Sequence, residues 1–136
     1  TPMQWNNEVN AGFSFGKPWL AVNSNYSTIN VAQSITNQNS IFHFTKSLIA
    51  LRNELKDVLV YGDFKLIDKN NKNVFAYTRT NGTKKILVVL NFSSNNASYQ
   101  FPYSLTNSKV LLSNYAKNHF SNTLMPYEAI IYQLKD

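Results

Sequence analysis

Seven carboxylates and two histidines carry whatever acid–base chemistry this chain of 136 residues can do. The carboxylates are Glu8, Glu54, Asp57, Asp63, Asp68, Glu128 and Asp136, and the imidazoles are His43 and His119. General acid–base work, or a two-carboxylate hydrolysis, needs two of these groups converging in a cleft. Their places along the chain argue otherwise. Asp57 and Asp63 flank the start of an expected strand, Asp68 sits at a turn edge, Glu54 closes an expected helix, Glu128 opens the last strand and Asp136 is terminal. Each reads as a solvated charge or a local cap. Glu8 lies in an aromatic-rich loop and lacks that explanation, but one carboxylate does not make a dyad. His43, in IFHF, reads as a packed or hydrogen-bonded structural residue. His119, in AKNHFSN, has no His or Cys neighbour with which to hold a metal. The chain has no cysteine, which removes disulfides, thiolate nucleophiles and Cys-ligated zinc. It has no phosphate-binding loop, dinucleotide fingerprint or nucleophile elbow. The residues therefore make no self-sufficient catalytic centre and imply no cofactor and no metal. The aromatics could instead stack on sugar rings, with Trp5, Trp19 and Tyr26 as candidates, and core packing is the stronger reading for the same residues.

The elements that would position these groups fall into two textures, changing near residue 57. Before it, residues 1–37 are turn-rich, with Gly12, Gly16 and Pro18 as punctuation and no lasting period of 2 or 3.6. This stretch still carries Trp5, Phe13, Phe15, Trp19 and Tyr26, so a long loop packed on a body outside the chain is expected. The segment NSIFHFTKSLIALRNEL predicts an amphipathic helix. Ile41, Phe44, Leu48, Leu51 and Leu55 form its stripe, and Asn39 or Ser40 is its N-cap. Short strands are expected over 60–67, 74–79, 84–92, 97–101, 109–113 and 128–134, with Asn81-Gly82 as a hairpin turn. The apolar run of 84–92 predicts a strand buried on both faces. The fold expected is mainly β, an antiparallel β-sandwich preceded by a long loop and one helix.

Composition narrows the class further. A hydrophobic fraction of 43% with 14% aromatics belongs to a folded domain. The net charge of +6 comes from scattered residues, Lys84-Lys85 being the one adjacent pair, so a solvated basic surface is expected and no nucleic-acid partner. No apolar run approaches the roughly 20 residues needed to span a bilayer, so no membrane partner is expected. No signal-peptide pattern opens the chain. The Asn-X-Ser/Thr triplets at Asn25, Asn81, Asn91 and Asn96 read as chance in so Asn-rich a sequence.

Several strings, in order along the chain, resemble one known family. They are TPMQW at 1–5, NAGF at 10–13, Pro18-Trp19, Val22-Asn23, Asn25-Tyr26, residues 29–31 and 40–42, LIALR at 48–52, LVYG at 59–62, FAYTRT at 75–80, ILVVLNF at 86–92, LLSNY at 111–115 and PYEA at 126–129. Together they resemble the C-terminal part of the α-glucosidases of the α-amylase superfamily, in the oligo-1,6-glucosidase and trehalose-6-phosphate hydrolase subgroup. The resemblance covers essentially the whole chain.

It implies a parent enzyme with a (β/α)8 barrel followed by a C-terminal β-sandwich. An Asp nucleophile, a Glu acid/base and a third Asp would cleave terminal α-glucosidic bonds, α-1,6 or α-1,4, of short oligosaccharides by double displacement. All three precede TPMQW in such enzymes, as does an Arg immediately before it, so none has a position here. The family has Asp after QW, whereas this chain has Asn6, so no carboxylate role carries over to that position. By this resemblance residues 1–56 are the end of the barrel, comprising an active-site-side loop and the last helix, and 57–136 are the sandwich. Met3, Gln4 and Trp5 would lie near the pocket as substrate-binding supports or rim contacts. The chain by itself is expected to be an inactive, structural, C-terminal portion of a cytoplasmic bacterial enzyme. Its partners would be the rest of the barrel and, in the parent, the oligosaccharide. The helix stripe, bare without the barrel, is expected to drive self-association or to be covered by residues 1–37. Dextran glucosidase is a further enzyme identity of the same kind, and a carbohydrate-binding sandwich is the reading from a different class.

Overall fold

The structure, a computed structural model, describes residues 1–102, 104–116 and 120–135. His119 and Asp136 lie outside the described residues, so the expectations placed on them are not addressed. The chain divides into two compact units, Thr1–Ser47 and Leu48–Asp136.

The first unit is less irregular than expected. Two 3-10 turns, Val9–Gly12 and Ser24–Ser27, precede a helix α1, Val31–Thr36. A cap makes α1 possible. Asn30 stands in extended backbone, its Oδ1 accepts from Gln33 N at 2.9 Å, and its Nδ2 donates to Tyr26 O at 2.8 Å. Six residues cannot show a helical hydrophobic period, and so the sequence pattern missed this helix. Helix α2, Ile41–Glu54, forms where the apolar spacing placed it. Ser40 caps it, its Oγ accepting from His43 N at 3.3 Å. The stripe is another matter, because α2 buries none of its residues and Ile41 is 85% exposed. Covering of the stripe by residues 1–37 is thus not what is found at Ile41.

The second unit is an antiparallel sandwich, as expected. Its strands are β1 (Asp63–Ile67), β2 (Val74–Asn81), β3 (Lys84–Asn91), β4 (Ala97–Ser98), β5 (Lys109–Ser113), β6 (Thr123–Leu124) and β7 (Ala129–Leu134). A five-stranded sheet runs in the order β1-β2-β3-β7-β5, and β4 pairs with β6 in a second, two-stranded sheet. β4 is shorter than the expected 97–101. β1 starts at Asp63 rather than at the expected 60, because residues 60–62 form the turn that follows a short helix α3, Lys56–Leu59. Gly62 allows the turn from α3 into β1, since a Cβ there would stand 2.5 Å from Val58 O and 2.7 Å from Thr80 O.

The central strand β3 explains its own apolar run. Leu87 and Val89 point into the main core with Ile67, Val74, Ala76, Leu124, Ile130 and Tyr132. Ile86 and Val88 point to the opposite face, where Val58 of α3 buries against them with Leu55 and Leu59 alongside. Each such fully buried aliphatic side chain contributes on the order of 1.5–3 kcal/mol, so β3 anchors both faces. Hairpin β2–β3 turns at Gly82, whose φ of 57° suits glycine.

Candidate functional site

Residues 1–5 form an extended run held on two sides. Gln4 O accepts from Val31 N and Trp5 O from Ala32 N, both at 2.9 Å, so the run is tied to the first turn of α1. On the other side Trp5 N and Asn6 N both donate to Ala11 O, at 2.9 and 3.2 Å. Ala11 can offer that carbonyl because Asn10, Ala11 and Gly12 are all left-handed, with φ of 55°, 57° and 65°. Asn tolerates this region and Gly prefers it, whereas for Ala it is strained by about 1–2 kcal/mol. The Ala11 methyl is fully buried, which holds it there. Asn10 Nδ2 closes the loop by donating to Ser14 O and Gly16 O, each at 3.0 Å. The NAGF string is thus a left-handed turn that buttresses the TPMQW string.

Of the candidate residues, Gln4 works inward. Its Nε2 donates to Asn25 Oδ1 at 2.9 Å and to Ile29 O at 2.7 Å. Met3 and Trp5 point outward and are half-exposed. Asn6 folds its Oδ1 onto Glu8 N at 3.0 Å and donates from Nδ2 to Glu8 Oε2 at 3.3 Å. That local turn accounts for Glu8, the carboxylate the sequence left unexplained. Trp19 and Phe15 stand almost wholly in solvent, whereas Tyr26 is partly buried, its carbonyl held by Asn30. His43 is structural, as expected, with Nε2 2.7 Å from Ile35 O and its ring edge-on to Phe42.

Two further carboxylates, Asp68 and Glu128, serve the backbone. Asp68, at a φ of 48°, accepts from Asn71 Nδ2 at 2.8 Å and from Gln100 N at 3.0 Å, and these two bonds hold its carboxyl below the usual carboxylate range. Glu128 is fully buried, so of the two readings expected of it, solvated charge or local cap, only the cap holds. Its Oε2 caps the β6–β7 turn by accepting from Met125 N at 2.7 Å, while Oε1 has no partner. Burial, together with the Glu128 charge, pushes the Tyr132 hydroxyl up to about 12. Tyr99, also buried and without a partner for its hydroxyl, is raised further, chiefly by burial and then by Tyr132 and Glu128. Among the described residues no three His, Asp or Glu are grouped as a metal site, and no helix is long and apolar enough to cross a membrane. Asn10 and Asn25 lay within strings that carried the resemblance but were not read as supports, and Asn30 was not singled out from the sequence. Their signal was only the asparagine at each turn and cap.

Comparison with known proteins places this geometry. The model of the α-amylase catalytic domain matches residues 1–62, and that of the α-amylase SusG C-terminal domain matches residues 74–131. The chain is 44% identical to an oligo-1,6-glucosidase of Bacillus cereus, over 99% of this chain and 25% of the relative. It is 39% identical to a trehalose-6-phosphate hydrolase of Bacillus subtilis, over 98% of this chain and 25% of the relative. Among solved structures, the trehalose-6-phosphate hydrolase of Bacillus licheniformis superposes with a TM-score of 0.91 at 37% identity, over 100% of this chain and 26% of that one. A trehalulose synthase of Pseudomonas mesoacidophila superposes at 0.86 and 35% identity, over 99% and 25%. The chain spans about a quarter of the length of the relatives it matches.

Proposed function

The chain belongs to the α-amylase superfamily, and from that premise we propose that it is the C-terminal quarter of a retaining α-glucosidase acting on terminal α-glucosidic bonds of short oligosaccharides. The observation that carries this reading is the order of the two family matches. Sequence similar to a catalytic domain runs to residue 62, and sequence similar to a C-terminal domain begins at 74. The working boundary we adopt lies at 56/57, with the end of the barrel before it and the sandwich after it.

In such an enzyme the two carboxylates of the double displacement come from the barrel upstream of this chain. The chain's own contribution is positional. Gln4, fixed by Asn25 and Ile29, sets the path of residues 1–5, and the left-handed turn at 10–12 holds Trp5 from behind. Met3 and Trp5, exposed on the outer side of that run, form part of the pocket rim, where an aromatic face suits the apolar face of a glucose ring. The sandwich is structural. The bare faces of α2, including Ile41 and Ile49, meet the barrel in the parent, and without it they drive self-association. The absence of cysteine fits a reducing, cytoplasmic setting.

The complete polypeptide should hydrolyse isomaltose, maltose or trehalose 6-phosphate, and kcat/KM on the three would name the enzyme. Failure on every α-glucoside would end the reading. The exposed Trp19 favours a second reading, a sugar-binding module. Titration of this chain with maltose or isomaltose, followed by tryptophan fluorescence, should show no saturable change, and a saturable one would favour the module.

A further inference from the structure

Asn81-Gly82 is the one place in the chain where glycine follows an asparagine. That pairing carries a chemistry of its own. An asparagine Cγ lies within reach of the next backbone nitrogen, and glycine has no side chain to block the approach. The hairpin presents the pair openly. Asn81 pairs with Lys84 at the last rung between β2 and β3, and Gly82 and Thr83 form the turn beyond it. Asn81 and Gly82 are both exposed, and even a Cβ on Gly82 would meet nothing within 4 Å. Gly82 N lies outside the ladder, and no backbone carbonyl among the described residues accepts from it. The asparagines followed by serine, next in line for the same chemistry, are less free. Ser40 N donates to Asn37 O at 3.0 Å and Ser108 N to Leu105 O at 2.9 Å, so the nitrogens after Asn39 and Asn107 are engaged. Asn23 turns its Oδ1 to Asn25 N instead.

We propose that Asn81 is a self-modification site, deamidated through attack of Gly82 N on its side-chain amide. Gly82 N gives up its proton and bonds to Asn81 Cγ. The Cγ–Nδ2 bond breaks, Nδ2 takes up a proton and leaves as ammonia, and a succinimide ring remains. Water, the co-reactant, then opens the ring at either carbonyl. Opening at the main-chain carbonyl gives isoaspartate, in which the chain runs through Cβ and Cγ, and opening on the other side gives aspartate. The consequence follows from the bond that the amide makes. Asn81 Nδ2 donates to Asp57 O, in the first turn of α3, at 3.0 Å. Either product removes that donor and sets a carboxylate oxygen beside a carbonyl oxygen. Isoaspartate also lengthens the main chain by a methylene where β2 meets its turn. Modification thus unties α3 from the end of the hairpin. While the bond stands it holds the amide toward α3, so the folded state slows the attack and unfolding speeds it.

Incubation of the complete polypeptide at mildly alkaline pH, then digestion and mass spectrometry with electron-transfer fragmentation, tests this directly. The peptide carrying Asn81 should gain the mass of amide-to-acid conversion several-fold faster than those carrying Asn23, Asn39 or Asn107. Isoaspartate should exceed aspartate in the product. A rate no higher than at the serine-followed asparagines would overturn the proposal. So would a product free of isoaspartate, because no ring would then have formed. The same incubation in urea should raise the rate at Asn81 further, and an unchanged rate would contradict the role given to the Asp57 bond. Thermal melting reads the consequence. The incubated polypeptide should melt below the fresh one, and Asn81→Asp should lower the Tm in the same direction. Asn81→Gln should melt at the same temperature before and after incubation. A loss in that variant as large as in the unsubstituted polypeptide would contradict the tie to α3.

Discussion

At the scale of single residues, the polar side chains of Gln4, Asn10, Asn30, Asp68 and Glu128 hold backbone geometry. Gly12 shows that geometry most sharply. Its φ of 65° suits glycine, and a Cβ there would stand 2.6 Å from Asn6 Oδ1. Gly12→Ala should therefore cost about 1–2 kcal/mol from backbone strain alone, and displacing Asn6 adds to it. Urea denaturation followed by tryptophan emission would read the loss, and an unchanged midpoint would contradict the role given to the turn. The buried phenols make a second case. Both Tyr99 and Tyr132 hold their protons more tightly folded than unfolded. Stability is thus fully present below the ordinary phenol value near 10, and it drains away as pH rises from there through the folded value of about 12 for Tyr132. The urea midpoint should fall over that window, and Tyr99→Phe should make the fall shallower. Because the Tyr99 hydroxyl has no partner, the same variant should cost little or even stabilise at pH 7. A loss above about 2 kcal/mol would reveal a partner that this account lacks. Little of this was legible beforehand. TPMQW and NAGF were recognisable as strings, but that one buttresses the other depends on φ values no composition shows. Glu128 read as a solvated charge or a local cap, and the choice between them was not legible because burial of a charge leaves no trace in its neighbours.

At the scale of elements, legibility followed period and length. Helix α2 and strands β2, β3, β5 and β7 each carry enough residues for a 3.6 or period-2 pattern to stand out. Helices α1 and α3, of six and four residues, and strands β4 and β6, of two each, are too short to carry one. The continuous apolar run of β3 was read correctly as two-faced burial, and Leu87→Ala should cost about 2–5 kcal/mol, as large-to-small changes in a packed core do. What the pattern could not say is where α2 would find its cover, since an apolar stripe demands burial without naming the partner. The α3–β1 joint is the element-level weak point. Gly62→Ala would push a Cβ into two backbone carbonyls at 2.5 and 2.7 Å, neither of which can rotate away. The joint between α3 and β2 would open, with an expected loss of at least about 2 kcal/mol, comparable to overpacking a core. A neutral result would show that the joint flexes freely.

At the scale of the whole molecule, the chain is intelligible as part of a larger one. It carries an exposed Met3 and Trp5, a helix with an unburied apolar stripe, and a sheet whose second face is half covered. Its relatives extend to about four times its length, and under the proposed function a barrel upstream would cover these surfaces. The central claim is that the catalytic carboxylates belong to that barrel and that this chain supports them. Hydrolysis of a chromogenic α-glucoside, assayed side by side on chain 1–136 and on the complete polypeptide, tests it most directly. The account predicts turnover by the complete polypeptide and none above background by the chain alone. Turnover by chain 1–136, or inactivity of the complete polypeptide on every α-glucoside tried, would contradict it.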